Sequence, residues 1–491
     1  MENHLSLLIV VIPLMAAPLV AVLPNGRFPW LVSTAVTSFV FVLACWQLLN
    51  IQAGNVISYE LGGWAPPWGI EYRIDAANAL VALIVAGIAA ITLPYALQSV
   101  IKEIPANQHS LFYSAFMLCF TGLLGITQTG DIFNLFVFLE ISSLSSYALI
   151  SMGKQRQALT AAYQYLIMGT IGATFFLIGV GLLYAMTGTL NMADLSQRLP
   201  ELYEHRTVHT AFAFIMVGFA LKLALFPLHL WLPNAYSYAP TVVTIFLAAT
   251  ATKVAVYVML RVIFSVFDFS FIKGTPTDEL FLLLCVMGIL MMSFYAIYQT
   301  DAKRLLAYSS VAQIGYMMLG LGLASMLGVT ATLVHMFNHA LMKGALFMAL
   351  GAIVYQIGSS RIDKFAGLGK QMPWTFAAIV IGGLSLIGVP GTAGFISKWY
   401  LVLAAIEQQY WLLVIVILAG SLLAVIYVWK LVEVLYFKSD KESNIKIKEA
   451  PLSLLIPTWV LVLANIYFGF STELTVGTAE QAVKLLMPSV N

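Results

Sequence analysis

The chain has 491 residues, of which 61% are hydrophobic and only 9% are charged, and its mean hydropathy is +0.91. A soluble globular protein carries about 25% charged residues, so this composition excludes water as the main surrounding of the folded chain. The net charge of +2 comes without a basic patch and gives no indication of nucleic acid as a partner. The lipid bilayer is the expected surrounding.

Apolar stretches of about 20 residues, the length that crosses a bilayer, recur along the whole chain. They predict an all-α polytopic membrane protein with about 14 transmembrane helices. The predicted spans are 3–23, 30–52, 77–99, 109–129, 131–151, 160–186, 208–232, 236–262, 278–299, 303–324, 328–356, 373–400, 409–436 and 452–471. The first run lacks preceding basic residues and is long for a signal peptide, so it is expected to stay as a helix. Residues 58–75 are rich in Gly and Pro and predict a short surface hairpin.

Basic residues in the predicted loops define an orientation. With the N-terminus outside, 13 basic residues face the cytoplasm and 5 face outward, as the positive-inside rule requires. The predicted cytoplasmic set is Arg27, Lys102, Lys154, Arg156, Lys303, Arg304, Arg361, Lys364, Lys370, Lys438, Lys441, Lys446 and Lys448. The outward set is Arg73, Arg198, Arg206, Lys273 and Lys484. Both termini are therefore predicted to face out.

A weak internal repeat divides the chain. DIFNLFVFLEISSLSSYAL, from residue 131, matches DAKRLLAYSSVAQIGYMML, from residue 301, and the ends of the following helices match at nearly the same offset. Five helices separate the two units, so they must cross the membrane in opposite senses as inverted five-helix repeats, with broken helices near mid-membrane. The predicted domains are helices 1–3 with the hairpin (1–108), a first repeat (109–262), a second repeat (278–436) and a C-terminal loop and helix (437–491).

Five charged residues are predicted deep in the membrane, where each costs about 2.5–3.5 kcal/mol and asks for a function. They are Glu140, Lys222, Lys253, Lys343 and Lys398. On one helix face, Ser143 and Tyr147 extend the polar stripe of Glu140. A carboxylate beside a buried lysine favours the charged form of the lysine, and moving the carboxylate away favours the neutral form. A proton relay needs a lysine that can be switched in this way. The alternative for Glu140 is a structural ion pair.

Two of the predicted spans carry helix-breaking residues beside a lysine. Pro227 follows Lys222 by five residues and must interrupt the hydrogen bonds of its helix. Nearby, His229 is either a relay group or a packing histidine. In the second repeat, Pro390, Gly391 and Gly394 precede Lys398 in GVPGTAGFISKWYL and predict a break at mid-helix.

The eleventh predicted helix places His335, His339 and Lys343 at i, i+4 and i+8, on one face over about 12 Å. Two histidines at this spacing can bind metal, but no glutamate accompanies them as in a zinc hydrolase. A water-linked proton chain accounts better for the row, because imidazole titrates near neutral pH. Small residues surround Lys253 and leave room for water, so this lysine is expected to connect the first repeat to the row.

Five segments together resemble the antiporter-like membrane subunits of respiratory complex I, membrane-bound hydrogenases and Mrp-type cation/proton antiporters. They are FLEISSLSSYALI, LKLALFPLHLWLPNAY, TATKVAVYVMLR, HMFNHALMKGALF and GVPGTAGFISKWYL. Within this family, the segment FPLHLWLPNAYSYAP, the chain length and the lysine at position 398 are most similar to D-type Mrp subunits.

The resemblance implies a proton path and a bacterial cell membrane. Glu140 would partner Lys222, Lys253 would form a bridge with His335 and His339, and Lys398 would be the terminal site. The implied partners are Mrp subunits of the A, B, C, E, F and G types, with protons and Na⁺ as the transported ions and no cofactor or metal.

Two alternatives stay open. One is a non-catalytic pumping subunit of a complex I-like oxidoreductase or a hydrogenase, driven by redox chemistry elsewhere, since this chain has no dinucleotide fingerprint and no cysteine cluster. The other is a passive structural subunit, in which the buried lysines are replaceable.

Overall fold

A computed structural model describes residues 4–52, 55–268, 271, 277–438 and 447–487 as a bundle of α-helices with one small β-hairpin. Three loop lysines used for the orientation, Lys273, Lys441 and Lys446, lie outside the described residues.

Nineteen α-helices are numbered here in chain order within the described residues. They are α1 (Leu5–Val22), α2 (Arg27–Gln52), α3 (Ala76–Glu103), α4 (His109–Gln128), α5 (Ile132–Ser151), α6 (Gln157–Thr187), α7 (Met192–Arg198), α8 (Arg206–Lys222), α9 (Trp231–Tyr238), α10 (Thr241–Ala249), α11 (Ala251–Arg261), α12 (Thr277–Ile297), α13 (Ala302–Gly322), α14 (Met326–Ile357), α15 (Pro373–Ile387), α16 (Ala393–Glu407), α17 (Trp411–Tyr436), α18 (Leu452–Phe470) and α19 (Thr478–Leu486).

Twelve segments of the described chain are long and apolar enough to cross a membrane. Two further crossings are interrupted, α8 with α9 and α15 with α16, and their single helices have 17, 8, 15 and 15 residues. Together these segments account for the fourteen crossings that hydropathy predicts. The short amphipathic helix α19 was not among the predicted elements.

The predicted hairpin is confirmed. Strand β1 (Ile57–Glu60) pairs antiparallel with β2 (Glu71–Ile74). The buried Glu71 carboxylate accepts hydrogen bonds from Ser58 Oγ at 2.6 Å and from Asn191 Nδ2 at 2.9 Å, which ties the hairpin to the start of α7.

The long helix α14 lies at the centre of the bundle and is buried along most of its length. It packs against α13, α15, α16 and α18 of the C-terminal half, and against α3 and α10 of the N-terminal half. Side chains on α14 therefore sit where the two halves of the chain meet.

The same backbone motif occurs in both predicted repeats. Asp131 caps the start of α5 and bridges to Asn191, and Asp301 caps the start of α13 and bridges to Arg361. The two residues of each bridge are 60 positions apart in sequence, and Asp131 and Asp301 are 170 positions apart.

The two bridges lie near opposite ends of helix α3. It has 28 residues and is about 42 Å long, from the hairpin to Glu103. The Asp131 bridge adjoins the hairpin, because Gly130 N donates to Glu71 O at 2.8 Å. The Asp301 bridge is at the other end, because the neighbouring Lys303 and the last α3 residue, Glu103, both contact Thr241. We call these the hairpin end and the Glu103 end. This opposition is what inverted repeats require; the full inverted repeat remains a prediction.

Lys303 corrects the sequence reading, which placed it in a loop. It is the second residue of α13, and only 7% of it is exposed, because the Asp301 cap starts the helix before it.

A buried ion pair stabilises the hairpin end. Asp75 caps α3 through Ala77 N and Asn78 N, and its carboxylate lies 2.5 Å from Arg261 Nη2 at the end of α11. Both side chains are 12% exposed.

We expect Asp75→Ala to lower the free energy of unfolding by about 3–5 kcal/mol, because it leaves the buried Arg261 guanidinium unpaired. Asp363→Ala is the control, since it breaks an exposed pair with Arg361 and should change stability little. Thermal unfolding of both variants in detergent checks this, and equal melting temperatures would contradict it.

Candidate functional site

The structure brings Glu140 of α5 and Lys222 of α8 together. Lys222 Nζ donates to Glu140 Oε1 at 3.3 Å and to Ser143 Oγ at 2.7 Å. Lys222 is 8% exposed. The Glu140 side chain, expected to be buried, is 25% exposed, because its face of α5 lies at the margin of this chain. The third member of the polar stripe, Tyr147, packs edge-on against Tyr165 and also interacts with Ser143 and Glu140.

Lys222 is the last residue of α8, and the helix resumes at Trp231. Pro227 lies in the interruption. The Trp231 indole donates to Leu221 O at 3.0 Å and stacks on the Tyr165 ring, with 3.9 Å between ring centroids. The indole thus satisfies a carbonyl at the broken helix end and fixes the position of Lys222.

His229 also lies in this interruption. Its ring stacks on Phe226, and its Nδ1 is buried without a hydrogen-bond partner in the described part of the chain. The ring interacts with the Pro227 backbone, and within the described residues no hydrogen bond joins it to the buried lysines or to the α14 histidines.

A second interruption, which the sequence did not predict, lies just before Lys253. Helix α10 ends at Ala249, α11 begins at Ala251, and Thr250 between them is non-helical, with φ −124° and ψ −57°. The fully buried Lys253 ammonium donates to Ala248 O, at the end of α10, and to Thr252 Oγ1 at 3.3 Å. No Gly or Pro marks this break, which is why composition did not reveal it.

Two histidines form the centre of the site on α14. The rings of His335 and His339 are nearly parallel, with 5.8 Å between centroids. His335 is held by Gln313 Oε1 at 2.9 Å from Nε2 and by Ser397 Oγ at 2.7 Å from Nδ1. Both nitrogens of the fully buried His339 have no hydrogen-bond partner within the described residues. Such a group is suited to a water molecule.

Lys343, one helical turn further along α14, is fully buried and points to α13. Its ammonium donates to Leu306 O at 2.9 Å and to Ser309 Oγ at 2.5 Å. The ammonium groups of Lys253 and Lys343 are therefore held by different helices, α10 and α13.

Lys398 lies on α16 but binds the end of α15. Its Nζ donates to Leu386 O at 3.0 Å, to Ile387 O at 2.8 Å and to Ser421 Oγ at 3.0 Å. The ammonium also lies 4.9 Å from the centre of the Tyr316 ring, which in turn is 6.1 Å from the His335 ring. Tyr316 thus links the central histidines to Lys398.

The break that positions Lys398 spans Gly388 to Thr392, where α15 stops and α16 starts. Pro390 lies within it, and Gly391 adopts a φ of +85°, which favours glycine. Gly394 lies after the break, as the second residue of α16, which corrects its assignment as a breaking residue. A Cβ there would be 1.8 Å from Ser385 O, so glycine is needed for the close approach of α15 and α16.

The sequence reasoning missed the neutral partners of these charges. They are Ser309, Gln313, Tyr316, Ser397 and Ser421. Ser397 directly precedes Lys398, which was the available signal; the others are distant in sequence. Among the described residues no group of three or more His, Cys, Asp or Glu side chains could hold a metal ion.

Gly394→Ala is expected to lower the free energy of unfolding by about 1–3 kcal/mol, because the new methyl group pushes α16 from α15. Gly181→Ala is a matched control in α6, since nothing lies within 4 Å of a Cβ there. Tryptophan fluorescence during heating measures both. Unchanged melting of Gly394→Ala would show that the two helices can separate without cost.

Comparison with known proteins identifies the family of this chain. A family model described as "NADH:quinone oxidoreductase/Mrp antiporter, TM" matches residues 129–424, which include the site. The chain is 41% identical to the N subunit of the NADH-quinone oxidoreductase of Desulforudis audaxviator (strain MP104C), over 96% of this chain and 97% of the relative. It is 29% identical to the D-type subunit of the Na(+)/H(+) antiporter of Alkalihalophilus pseudofirmus, over 96% of this chain and 94% of the relative.

Two solved assemblies contain chains with the same fold. The first is the membrane-bound sulfane sulfur reductase, an archaeal respiratory membrane complex, with a TM-score of 0.91 and 32% identity over 98% of this chain and 97% of that chain. The second is the Mrp complex from Dietzia sp. DQ12-45-1b, with a TM-score of 0.91 and 25% identity over 100% and 98%. The chain therefore belongs to the transmembrane family shared by NADH:quinone oxidoreductases and Mrp antiporters.

Proposed function

We propose that this chain is the proton-translocating subunit of a multisubunit monovalent cation/proton antiporter. The observation that carries the proposal is a row of buried titratable groups between two interrupted helices, from Lys222 through the α14 histidines to Lys398. A charge in the bilayer core is costly, so a set of this size is kept for function. The chain itself is a secondary transporter subunit and not an enzyme.

In the proposed relay, the first site is the Glu140–Lys222 pair. A proton is exchanged between the Lys222 amine and its surroundings, while the Glu140 carboxylate stabilises the charged amine. Because Glu140 lies at the margin of this chain, a neighbouring subunit can contact it and change that balance.

Lys253, His339 and His335 form the middle of the proposed relay. His335 can accept a proton at Nδ1 through the Ser397 hydroxyl and release one from Nε2, whose N–H is oriented by Gln313 Oε1. Water at His339 would complete the connection. Lys398 is the last group, and its proton leaves by the far side.

Similarity to the D-type subunits of Na(+)/H(+) antiporters, at 28–29% identity over nearly the whole chain, supports the antiporter assignment. On this assignment the partners are Mrp subunits of the A, B, C, E, F and G types, and Na⁺ is the cation exchanged for protons. The location is a bacterial plasma membrane with both termini outside.

A second candidate function rests on the 41% identity to the N subunit of an NADH-quinone oxidoreductase and the likeness to a sulfane sulfur reductase complex. In this candidate the same relay pumps protons, and redox chemistry in other subunits supplies the energy. The side chains described above serve both functions equally.

Transport by membrane vesicles that contain the whole complex tests the relay. We expect Glu140→Gln, Lys222→Met and Lys398→Met each to reduce the initial rate of Na⁺-induced dissipation of a pH gradient by roughly 100-fold, the contribution of one well-placed proton-transfer group. Lys364→Met and Glu201→Gln, both on exposed surface, should transport like the parent.

Parental rates in all three site variants would instead support a passive structural subunit. A pH gradient that forms only when NADH or another electron donor is supplied, and that ignores Na⁺, would replace the antiporter assignment with the redox-driven one. The amount of assembled complex is measured for every variant.

A further inference from the structure

A second set of polar side chains surrounds the N-terminus of α10, at the Glu103 end of the bundle and outside the row described above. Glu103 Oε2 accepts a hydrogen bond from Thr241 N at 2.7 Å, and its Oε1 accepts one from Ser99 Oγ at 3.0 Å. Lys303 Nζ lies 3.4 Å from Thr241 Oγ1 and 3.5 Å from Ala239 O. An acid and a base of opposite charge thus meet around the first residue of α10.

The two members differ in their access to water. Glu103 is partly exposed at the end of α3, whereas Lys303 is buried. Lys303 interacts electrostatically with Glu103 and Asp301 but forms no ion pair in the part of the chain that the structure describes. Its contacts at 3.4 and 3.5 Å are long for hydrogen bonds, so its ammonium is held loosely.

Helix α10 connects this group directly to Lys253. It has nine residues and is about 14 Å long. The Glu103 carboxylate binds an amide at its positive end, and the Lys253 ammonium binds Ala248 O at its negative end. Both charges are therefore stabilised by the dipole of the same helix.

Hydroxyl groups follow the same route. Thr244 Oγ1, one turn from Thr241, donates to Tyr236 O at 2.9 Å. The Tyr236 hydroxyl donates to Leu247 O at 3.2 Å and interacts with Thr252, the neighbour of Lys253. All of these side chains are buried, so the route is shielded from lipid.

We propose that Glu103 and Lys303 form a proton-uptake pair that supplies Lys253 along α10. The Glu103 carboxylate takes a proton from water and becomes a carboxylic acid. The acid then transfers this proton, through water between the two side chains, to the neutral Lys303 amine, which restores the carboxylate. The resulting ammonium gives up one proton to the Thr241 hydroxyl, which releases its own. Water carries this proton past Thr244 to the Tyr236 and Thr252 hydroxyls, which deliver one to neutral Lys253. The inference rests on the proposed function, because it supplies the middle of that relay.

Other charged groups face the pair and belong in any pH analysis. Asp301 is bound to Ser360 and lies near Arg361. Lys102 donates to Tyr355 O at the surface, and the buried Tyr95 of α3 interacts with Glu103.

The test uses the intact complex in proteoliposomes, with the rate of proton transfer followed by a pH-sensitive dye while the pH on each side is varied in turn. We expect Glu103→Gln and Lys303→Met each to lower the rate by roughly fivefold or more at neutral pH. The loss should shrink as the pH at the Glu103 end falls, because direct protonation then replaces uptake. Glu103→Asp should keep at least half of the rate, whereas Lys303→Arg should be as slow as Lys303→Met, because a guanidinium keeps its proton.

The double variant Glu103→Gln/Lys303→Met should be no slower than either single variant, since the two act in one step. Asp363→Asn and Lys364→Met, exposed at the same end, are the matched controls. If a single variant fails to assemble, Thr244→Val tests the same route, and it should slow transfer without changing assembly.

Two results separate this inference from the proposed function. Parental rates and pH dependence in Glu103→Gln, Lys303→Met and Thr244→Val, with Lys222→Met inactive, would overturn the uptake pair and leave the relay standing. A parental rate in Lys222→Met would overturn the relay itself. Slower transfer with an unchanged pH dependence would assign the pair a structural role and also overturn the inference.

Discussion

The structure depends on one constraint: a lysine buried among apolar helices needs hydrogen-bond acceptors where the sequence offers few carboxylates. An intact helix offers few, because its carbonyls are already bonded within the helix. Lys343 shares one of them, Leu306 O of α13, and adds Ser309 Oγ. The interrupted helices meet this need. Lys253 and Lys398 donate to carbonyls at the ends of α10 and α15, and these ends also carry the negative pole of each helix.

Interruption and charge are therefore one feature. A helix broken at mid-membrane would leave carbonyls without donors, and a lone buried ammonium would have no acceptors. When the ammonium donates to these carbonyls, both groups are satisfied and neither penalty remains. At Lys222 the arrangement differs, because Trp231 satisfies the freed carbonyl and the ammonium is left for Glu140 and Ser143. This lysine alone, among the central four, forms an ion pair within the described residues, so its balance of charge responds to movement of a single carboxylate.

The features that could be predicted from the sequence are those whose signal lies within one short segment of the chain. Hydropathy predicted the crossings, and proline and glycine predicted the hairpin and the interruptions near Pro227 and Pro390, because these signals are local. The break at Thr250 has no such residue; tertiary packing imposes it. The contacts of His335 with Gln313 and Ser397 join residues 22 and 62 positions away, and no periodicity in one sequence reveals them. Burial of Lys303 was missed because its helix begins at the Asp301 cap and not where hydropathy rises.

The fold alone does not distinguish an antiporter from a redox-driven pump, because the chain matches members of both kinds of assembly with the same TM-score of 0.91. What the two share is the problem of moving a proton past an apolar core without leaving a charge stranded there. Neutral acceptors solve this problem for Lys253, Lys343 and Lys398, since carbonyl and hydroxyl oxygens bind an ammonium without cancelling its charge. Such a group can lose its proton and leave no buried carboxylate unpaired, whereas a lysine in a fixed ion pair cannot. Among the four central lysines of the described chain, the source of energy then needs to act only at Lys222, because its charge is balanced by a carboxylate, Glu140.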